Sequence, residues 1–174
     1  MFYDFFKNSL IDVIKNIYNI HENKIELNLD NYMKIRYYDF YTLPSILILE
    51  YIHNMNIPKC IHQDKSFINI LHLSSKHMFI INDIISYNYE RKNNKGINNI
   101  IDIYKRDYNL NIENAMIKVI DNFYETENEL LILIPDMIKK YPNYEKLLKK
   151  YYKYLLLFVG GNYFWHIQSP RYKI

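Results

Sequence analysis

One cysteine, three glycines, five prolines and one alanine are spread over 174 residues. A single thiol, Cys60, excludes a disulfide framework and a thiolate zinc site. So little Gly and Pro leaves too few turn residues for an all-β sandwich. No apolar run is long enough to cross a bilayer, and the richest one, residues 155–165, is broken by Asn162. Neither sign of charge dominates. A formal charge of +3 does not by itself point to nucleic acid or an anionic membrane. The amino-terminal stretch mixes aromatics with Asp4, Lys7, Asp12 and Lys15, unlike a signal peptide. The expectation is a cytoplasmic protein with no membrane span and no nucleic-acid partner.

What is present is apolar and aromatic. Apolar residues make up 49% and aromatics 17%, which excludes a disordered chain, and the length suits one domain over residues 1–174. Isoleucine (29) and asparagine (22) are so abundant that propensity scales mislead, because they fill positions usually given to alanine.

Helical spacing recurs almost throughout. Phe2, Phe5, Phe6, Leu10, Val13, Ile14 and Ile17 share one face of a first helix, followed by a polar stretch from His21 to Lys24. A second helix over residues 30–40 carries Tyr32, Ile35 and Arg36. A third begins around Pro44 and is expected to end at Pro58. The longest, residues 66–92, lacks Pro and Gly and is apolar nearly all round from Phe67 to Ile85, as a helix in the middle of a bundle would be. After a break at Asn93, Asn94 and Gly96, helices are expected over 97–107, 112–123, 125–134, 137–140 and 144–164, punctuated by Pro135 and Pro142. No segment alternates strictly, so the expected fold is an all-α, antiparallel helical bundle.

The segment that carries chemistry is Asn82-Asp83-Ile84-Ile85-Ser86-Tyr87-Asn88-Tyr89-Glu90. With about 3.6 residues per turn, Asn82, Ser86 and Glu90 lie on one stripe. They offer an amide carbonyl, a hydroxyl and a carboxylate, a hard oxygen set that suits Mg2+. Given this composition, chance places the pattern about 0.003 times in a shuffled chain. The competing reading is the polar stripe of an ordinary amphipathic helix, which the apolar surroundings before Asn82 disfavour.

This segment resembles the second metal-binding motif of class I terpene synthases, N-D-x-x-S-x-x-x-E. Arg36, 46 residues before Asn82, sits where that family has its diphosphate-sensing arginine, and Asp39 matches the acidic linker that follows it. Arg171-Tyr172, 89 residues after Asn82, is similar to the family's carboxy-terminal pair, and Gly161-Asn162-x-x-Trp165-x-x-x-Ser169 is similar to the approach to it. Arginine is the residue for forked contact with phosphate oxygens.

The resemblance implies half of the family's α-barrel and a Mg2+-dependent reaction. A prenyl diphosphate, of farnesyl or geranylgeranyl type, would be ionised and cyclised, and diphosphate released. Asn82, Ser86 and Glu90 would hold one Mg2+. Arg36 would sense diphosphate with Asp39 linking it to its helix, and Arg171 and Tyr172 would close over the leaving group from a segment released from helix by Pro170. Tyr37, Phe40, Phe79 and Trp165 are candidate wall aromatics, with core packing the plainer reading of each.

The family's aspartate-rich first motif has no counterpart, because no two acidic residues are adjacent in the sequence. Tyr89 stands where the family often has lysine, and Arg91 or Lys92 are the nearest substitutes. Little or no cyclase activity is therefore expected of this chain alone, together with self-association through an exposed apolar face. An inactive truncated remnant and a helical interaction module are the rival readings. Six histidines lack zinc spacing. The Lys- and Tyr-rich stretch 139–154 reads as a solvated face with lysine stems over tyrosine rings.

Overall fold

The structure, a computed structural model, describes residues 2–23, 27–93 and 99–172. Among them the chain forms eight α-helices and two 3-10 turns, with no strand. Asparagine is a poor residue inside helices but a strong cap, because its side-chain oxygen accepts from unpaired first-turn N–H groups. Asn28 opens α2 (Leu29–Asp39), Asn99 opens α6 (Ile100–Asp107) and Asn111 opens α7 (Ile112–Lys140) in this way. Asp64 does the same for α5 (Lys65–Lys92).

α1 (Phe2–Asn23) runs further than the sequence pattern implies. Val13 on its predicted face is buried, but Ile14, a step around the helix, is 63% exposed. The side chains of Phe2, Phe5 and Ile17, together with Lys24, Asn94, Gly96 and Ile97, lie outside the described residues. Between α2 and α3 (Thr42–Ile52), Tyr41 adopts a left-handed φ of 52°, which stops α2 just after Asp39. Pro58 does not end α3. That helix stops at Ile52, Asn54 turns left-handed at φ 48°, and Pro58 becomes the cap of the short α4 (Lys59–His62).

Pro135 does not break its helix either, and α7 is continuous over the three segments expected separately. A proline inside a helix costs about 3 kcal/mol, because it removes a bond to the carbonyl four residues back. That carbonyl belongs to Leu131, on the exposed face of the helix. Leu130, Ile134 and Met137 of the same stretch are buried against Phe67 and its neighbours. Each such burial returns about 1.5–3 kcal/mol, so packing outweighs the break. α8 (Glu145–Gln168) likewise runs past its expected end, through Gly160 and Gly161 to Ser169, whose extended backbone precedes Pro170.

Side-chain pairs give the helix directions. Asn69 meets Glu129 and His77 meets Phe123, so α7 runs antiparallel to α5. Phe67 packs on Tyr151 and Asn82 bonds His166, an equal step of 15 residues on each helix, so α8 runs parallel to α5 and antiparallel to α7. Tyr37 meets His72 and Tyr32 meets Asp83, which sets α2 antiparallel to α5. The core has two parts. Phe67, Ile70, Leu148, Tyr151 and Leu155 anchor the first. Tyr32, Phe79, Ile80, Ile100, Ile101 and Val119 anchor the second. α5 passes through both, which is why its middle, residues 73–87, has no exposed side chain, while Lys65, Ile68, Asn69 and His72 leave its first turns open to water.

Asp64 also ties α5 to the end of α7. Its carboxylate accepts from Tyr141 Oη at 2.7 Å and pairs with Lys140 Nζ at 2.6 Å. Burial pushes this carboxyl up, but the bonds from Lys140, Tyr141 and Ser66 outweigh it and hold the pKa at about 2. A carboxyl depressed by folding contributes stability above its unfolded pKa of about 3.9, which is lost as pH falls through the folded value. The wild-type chain is therefore expected to outlast Asp64→Asn in urea at neutral pH. The gap in midpoints should close between about pH 4 and pH 2; a gap independent of pH would contradict this.

Candidate functional site

The stripe on α5 ends above the second core cluster. Ser86 is 1% exposed and its Oγ has no hydrogen-bond partner, while Asn82 and Glu90 are half-buried. Glu90 Oε2 accepts from Asn99 Nδ2 at 3.1 Å. The same nitrogen bonds the Asp83 carbonyl at 2.8 Å, so the cap of α6 is pinned to the stripe.

Arg36 reaches the stripe from α2. Its Nη2 donates to Asn82 Oδ1 at 2.9 Å and to Asp83 Oδ1 at 2.8 Å. Its Nη1 donates to Asp39 at 3.3 Å. The guanidinium lies 5.3 Å from the Phe40 ring centre and 6.0 Å from those of Tyr32 and Phe79. Burial works against the charge, but Asp83 above all, then Tyr32 and Asp39, raise the pKa further and keep the group ionised. Its Nε is buried and unpartnered.

Asp83, next to the stripe but turned away from it, is 2% exposed. It accepts from Arg36, from the Ile100 backbone N–H at 2.8 Å and from Tyr32 Oη. Burial pushes its carboxyl up, against the pull of Arg36. It fastens α2, α5 and α6 together at one point. Sequence reasoning assigned this motif residue no role, because its partners lie 47, 17 and 51 residues away.

The carboxy-terminal segment arrives from α8. Asn82 Nδ2 donates to His166 Nε2 at 2.7 Å and to Tyr172 Oη at 3.3 Å. His166 Nδ1 bonds the Asn162 carbonyl at 2.7 Å, and the imidazole stacks on Tyr172 with ring centres 5.5 Å apart. Burial, aided by the Arg171 charge, lowers the His166 pKa against the bond to the Asn162 carbonyl. His166 was read as one of six scattered histidines. The available signal was its spacing of one helical turn from Asn162.

Of the residues singled out from the sequence, the structure joins Arg36, Asp39, Asn82 and Tyr172 in one chain of hydrogen bonds. Arg171 is exposed, with its guanidinium 5.4 Å over the Tyr172 ring. Tyr89 packs edge-on against Tyr172 at 6.0 Å. Arg91 does not take the place of the family's lysine, because it donates to Asp102 at 2.9 Å and Tyr87 Oη at 3.0 Å. Among the wall candidates, Phe79 is buried in the core, Phe40 lies under Arg36 and Trp165 is 55% exposed. Tyr37 borders a cavity of about 320 Å³ with Val13, Leu43, Leu47 and Leu71. Among the described residues no three His, Cys, Asp or Glu side chains cluster as metal ligands. A cation here would rely on the Asn, Ser and Glu oxygens of α5.

The all-α fold, with an Asn-Ser-Glu stripe on a central helix and an arginine and a tyrosine converging on it, is the arrangement of a class I terpene synthase. The family model for terpene synthase family 2, C-terminal metal binding, matches residues 2–129, and the chain belongs to that family. It is 26% identical over 175 residues to sesquiterpene synthase 14 of Postia placenta, covering 98% of this chain and 48% of that protein. It is 24% identical over 168 residues to terpene synthase 2 of Dictyostelium discoideum, covering 93% and 48%. The chain thus spans about half the length of the curated relatives it matches. Linalool/nerolidol synthase from Streptomyces clavuligerus superposes with a TM-score of 0.84 at 15% identity, over 95% of this chain and 59% of that one. 2-Methylisoborneol synthase from Streptomyces coelicolor, in complex with Mg2+ and geranyl-S-thiolodiphosphate, superposes with a TM-score of 0.82 at 15% identity, over 97% and 54%. These superpositions make the fold half of the class I terpene synthase α-barrel.

Proposed function

We propose that this chain is the diphosphate- and metal-binding half of a terpene synthase that ionises and cyclises a farnesyl- or geranylgeranyl-type diphosphate. The observation that carries the reading is the junction of Arg36 with Asn82 and Asp83, which sets a buried guanidinium against the motif asparagine. Asn82, Ser86 and Glu90 would hold Mg2+, which when bound neutralises charge on a leaving diphosphate. The unpartnered Ser86 Oγ fits this donor set, since a buried hydroxyl without a partner costs about 1–3 kcal/mol that a ligand would relieve. Arg36 would donate its fork to diphosphate oxygens while Asp83 keeps the side chain in place. Tyr172 Oη would add a donor from the carboxy-terminal side, and the faces of Phe40 and Phe79 would keep water from the guanidinium.

The test is calorimetric titration of the 174-residue chain with inorganic pyrophosphate, with and without Mg2+. Mg2+-dependent binding is expected, with little or no turnover of farnesyl or geranylgeranyl diphosphate. Absence of Mg2+-dependent binding would sink the proposal, and clean conversion to a cyclic hydrocarbon would sink its second clause.

We also propose that the chain self-associates. Leu131 and Ile132 on α7 and Leu157 and Phe164 on α8 are each more than half exposed. Exposed apolar side chains on two neighbouring helices would favour association where they adjoin. Light scattering should give a mass above 21.4 kDa that rises with concentration. A constant monomer mass at high concentration would count against it.

A further inference from the structure

An asparagine amide has two nearly isosteric ends, and only the signs of its neighbours decide which end points where. Around Asn82 two of the three polar neighbours have a settled sign. Arg36 can only donate, so it faces Oδ1 at 2.9 Å. His166 Nδ1 lies 2.7 Å from the Asn162 carbonyl, which can only accept, so Nδ1 carries the proton. Asn82 Nδ2, which can only donate, lies 2.7 Å from Nε2, so that nitrogen is the acceptor of a neutral ring. Tyr172 Oη can donate or accept and decides nothing.

The two restraints differ in permanence. On the reading above, Arg36 turns its donors to diphosphate oxygens when a ligand binds, and it then no longer orients the amide. His166 remains. It is 3% exposed, hydrogen-bonded within its own helix and stacked on Tyr172. We propose that His166 is a positioning residue, whose fixed tautomer keeps the Asn82 amide turned with Oδ1 toward the Arg36 side, where it can serve as a ligand, and Nδ2 toward α8. It touches neither metal nor diphosphate and acts through Asn82. This inference deepens the reading above and rests on it, because the orientation matters only if Asn82 Oδ1 is a ligand.

Two variants and one spectroscopic measurement test it. His166→Phe keeps an aromatic ring against Tyr172 but removes the acceptor. His166→Gln keeps an acceptor and loses the ring. With pyrophosphate present, Mn2+ affinity of His166→Phe, read by electron paramagnetic resonance, should fall at least tenfold. His166→Gln should return it to within about threefold of wild type. If Phe binds Mn2+ like wild type, or Gln and Phe are equally impaired, the positioning role is overturned. If the wild-type chain itself binds no Mn2+ with pyrophosphate, the functional reading fails instead. The arrangement around Asn82 is then still decided by the long-range 1H–15N spectrum of His166. An Nδ1–H tautomer supports it and an Nε2–H tautomer overturns it. Far-UV circular dichroism of both variants separates misfolding from loss of orientation.

Discussion

An Arg36→Ala chain is expected to lose pyrophosphate affinity by at least about 100-fold in the presence of Mg2+. The size follows from chemistry. Two charge-assisted hydrogen bonds from a guanidinium fork are worth about 1.5 kcal/mol or more each, and 100-fold corresponds to about 2.7 kcal/mol. Arg36→Lys keeps a charge but not the fork, so a loss of about tenfold is expected. Asp39→Ala should matter far less. That carboxylate is half exposed and 3.3 Å from Nη1, the setting in which an ion pair contributes at most about 1 kcal/mol. Calorimetry on the three variants decides the matter. Wild-type affinity in Arg36→Ala would remove Arg36 from the site. Equal losses in Arg36→Ala and Asp39→Ala would mean that the geometry around Asn82 and Asp83 is not what sets the guanidinium.

The second large effect is on stability. Asp83→Asn preserves shape but leaves the Arg36 charge buried without its carboxylate, and gives Ile100 N–H and Tyr32 Oη a poorer acceptor. Removing one partner of a buried ion pair typically costs about 3–5 kcal/mol, a large share of the stability of a domain this size. Urea unfolding followed by circular dichroism should show that loss. Tyr32→Phe, which deletes one buried hydrogen bond to the same carboxylate, should cost less, about 1.5–3 kcal/mol. A loss below about 1 kcal/mol in Asp83→Asn would show that α2, α5 and α6 are held by their apolar faces alone. The two predictions are coupled, since Arg36→Ala leaves Asp83 unpaired. Arg36→Lys, which retains a cation beside Asp83, is therefore the variant that separates binding from folding.

Much of this was readable before any coordinates. A stretch with no Gly or Pro from Ser66 to Lys92 had little alternative to one long helix, and helical period alone put Asn82, Ser86 and Glu90 on one stripe. These are local properties, set by bonds and caps within a few residues. Where local rules competed with packing, the reading failed. Pro135 reads as a break because its cost is local, whereas the burial of Leu130, Ile134 and Met137 that offsets it comes from other helices. Pro58 was taken as a stop, yet the left-handed turn at Asn54 had already ended α3.

Helical character, the oxygen-bearing stripe and, through spacing and residue type, the family likeness of Arg36 and Arg171-Tyr172 are written in the sequence, whereas several helix ends are not. Only the tertiary structure decided that Asp83 anchors Arg36, that Asn99 bridges to Glu90 and that His166 holds the far end of the Asn82 amide. These contacts join residues on α2, α5, α6 and α8 whose approach is fixed by the burial of apolar faces some distance from the polar groups. No spacing along one helix encodes which side chain the next helix will bring.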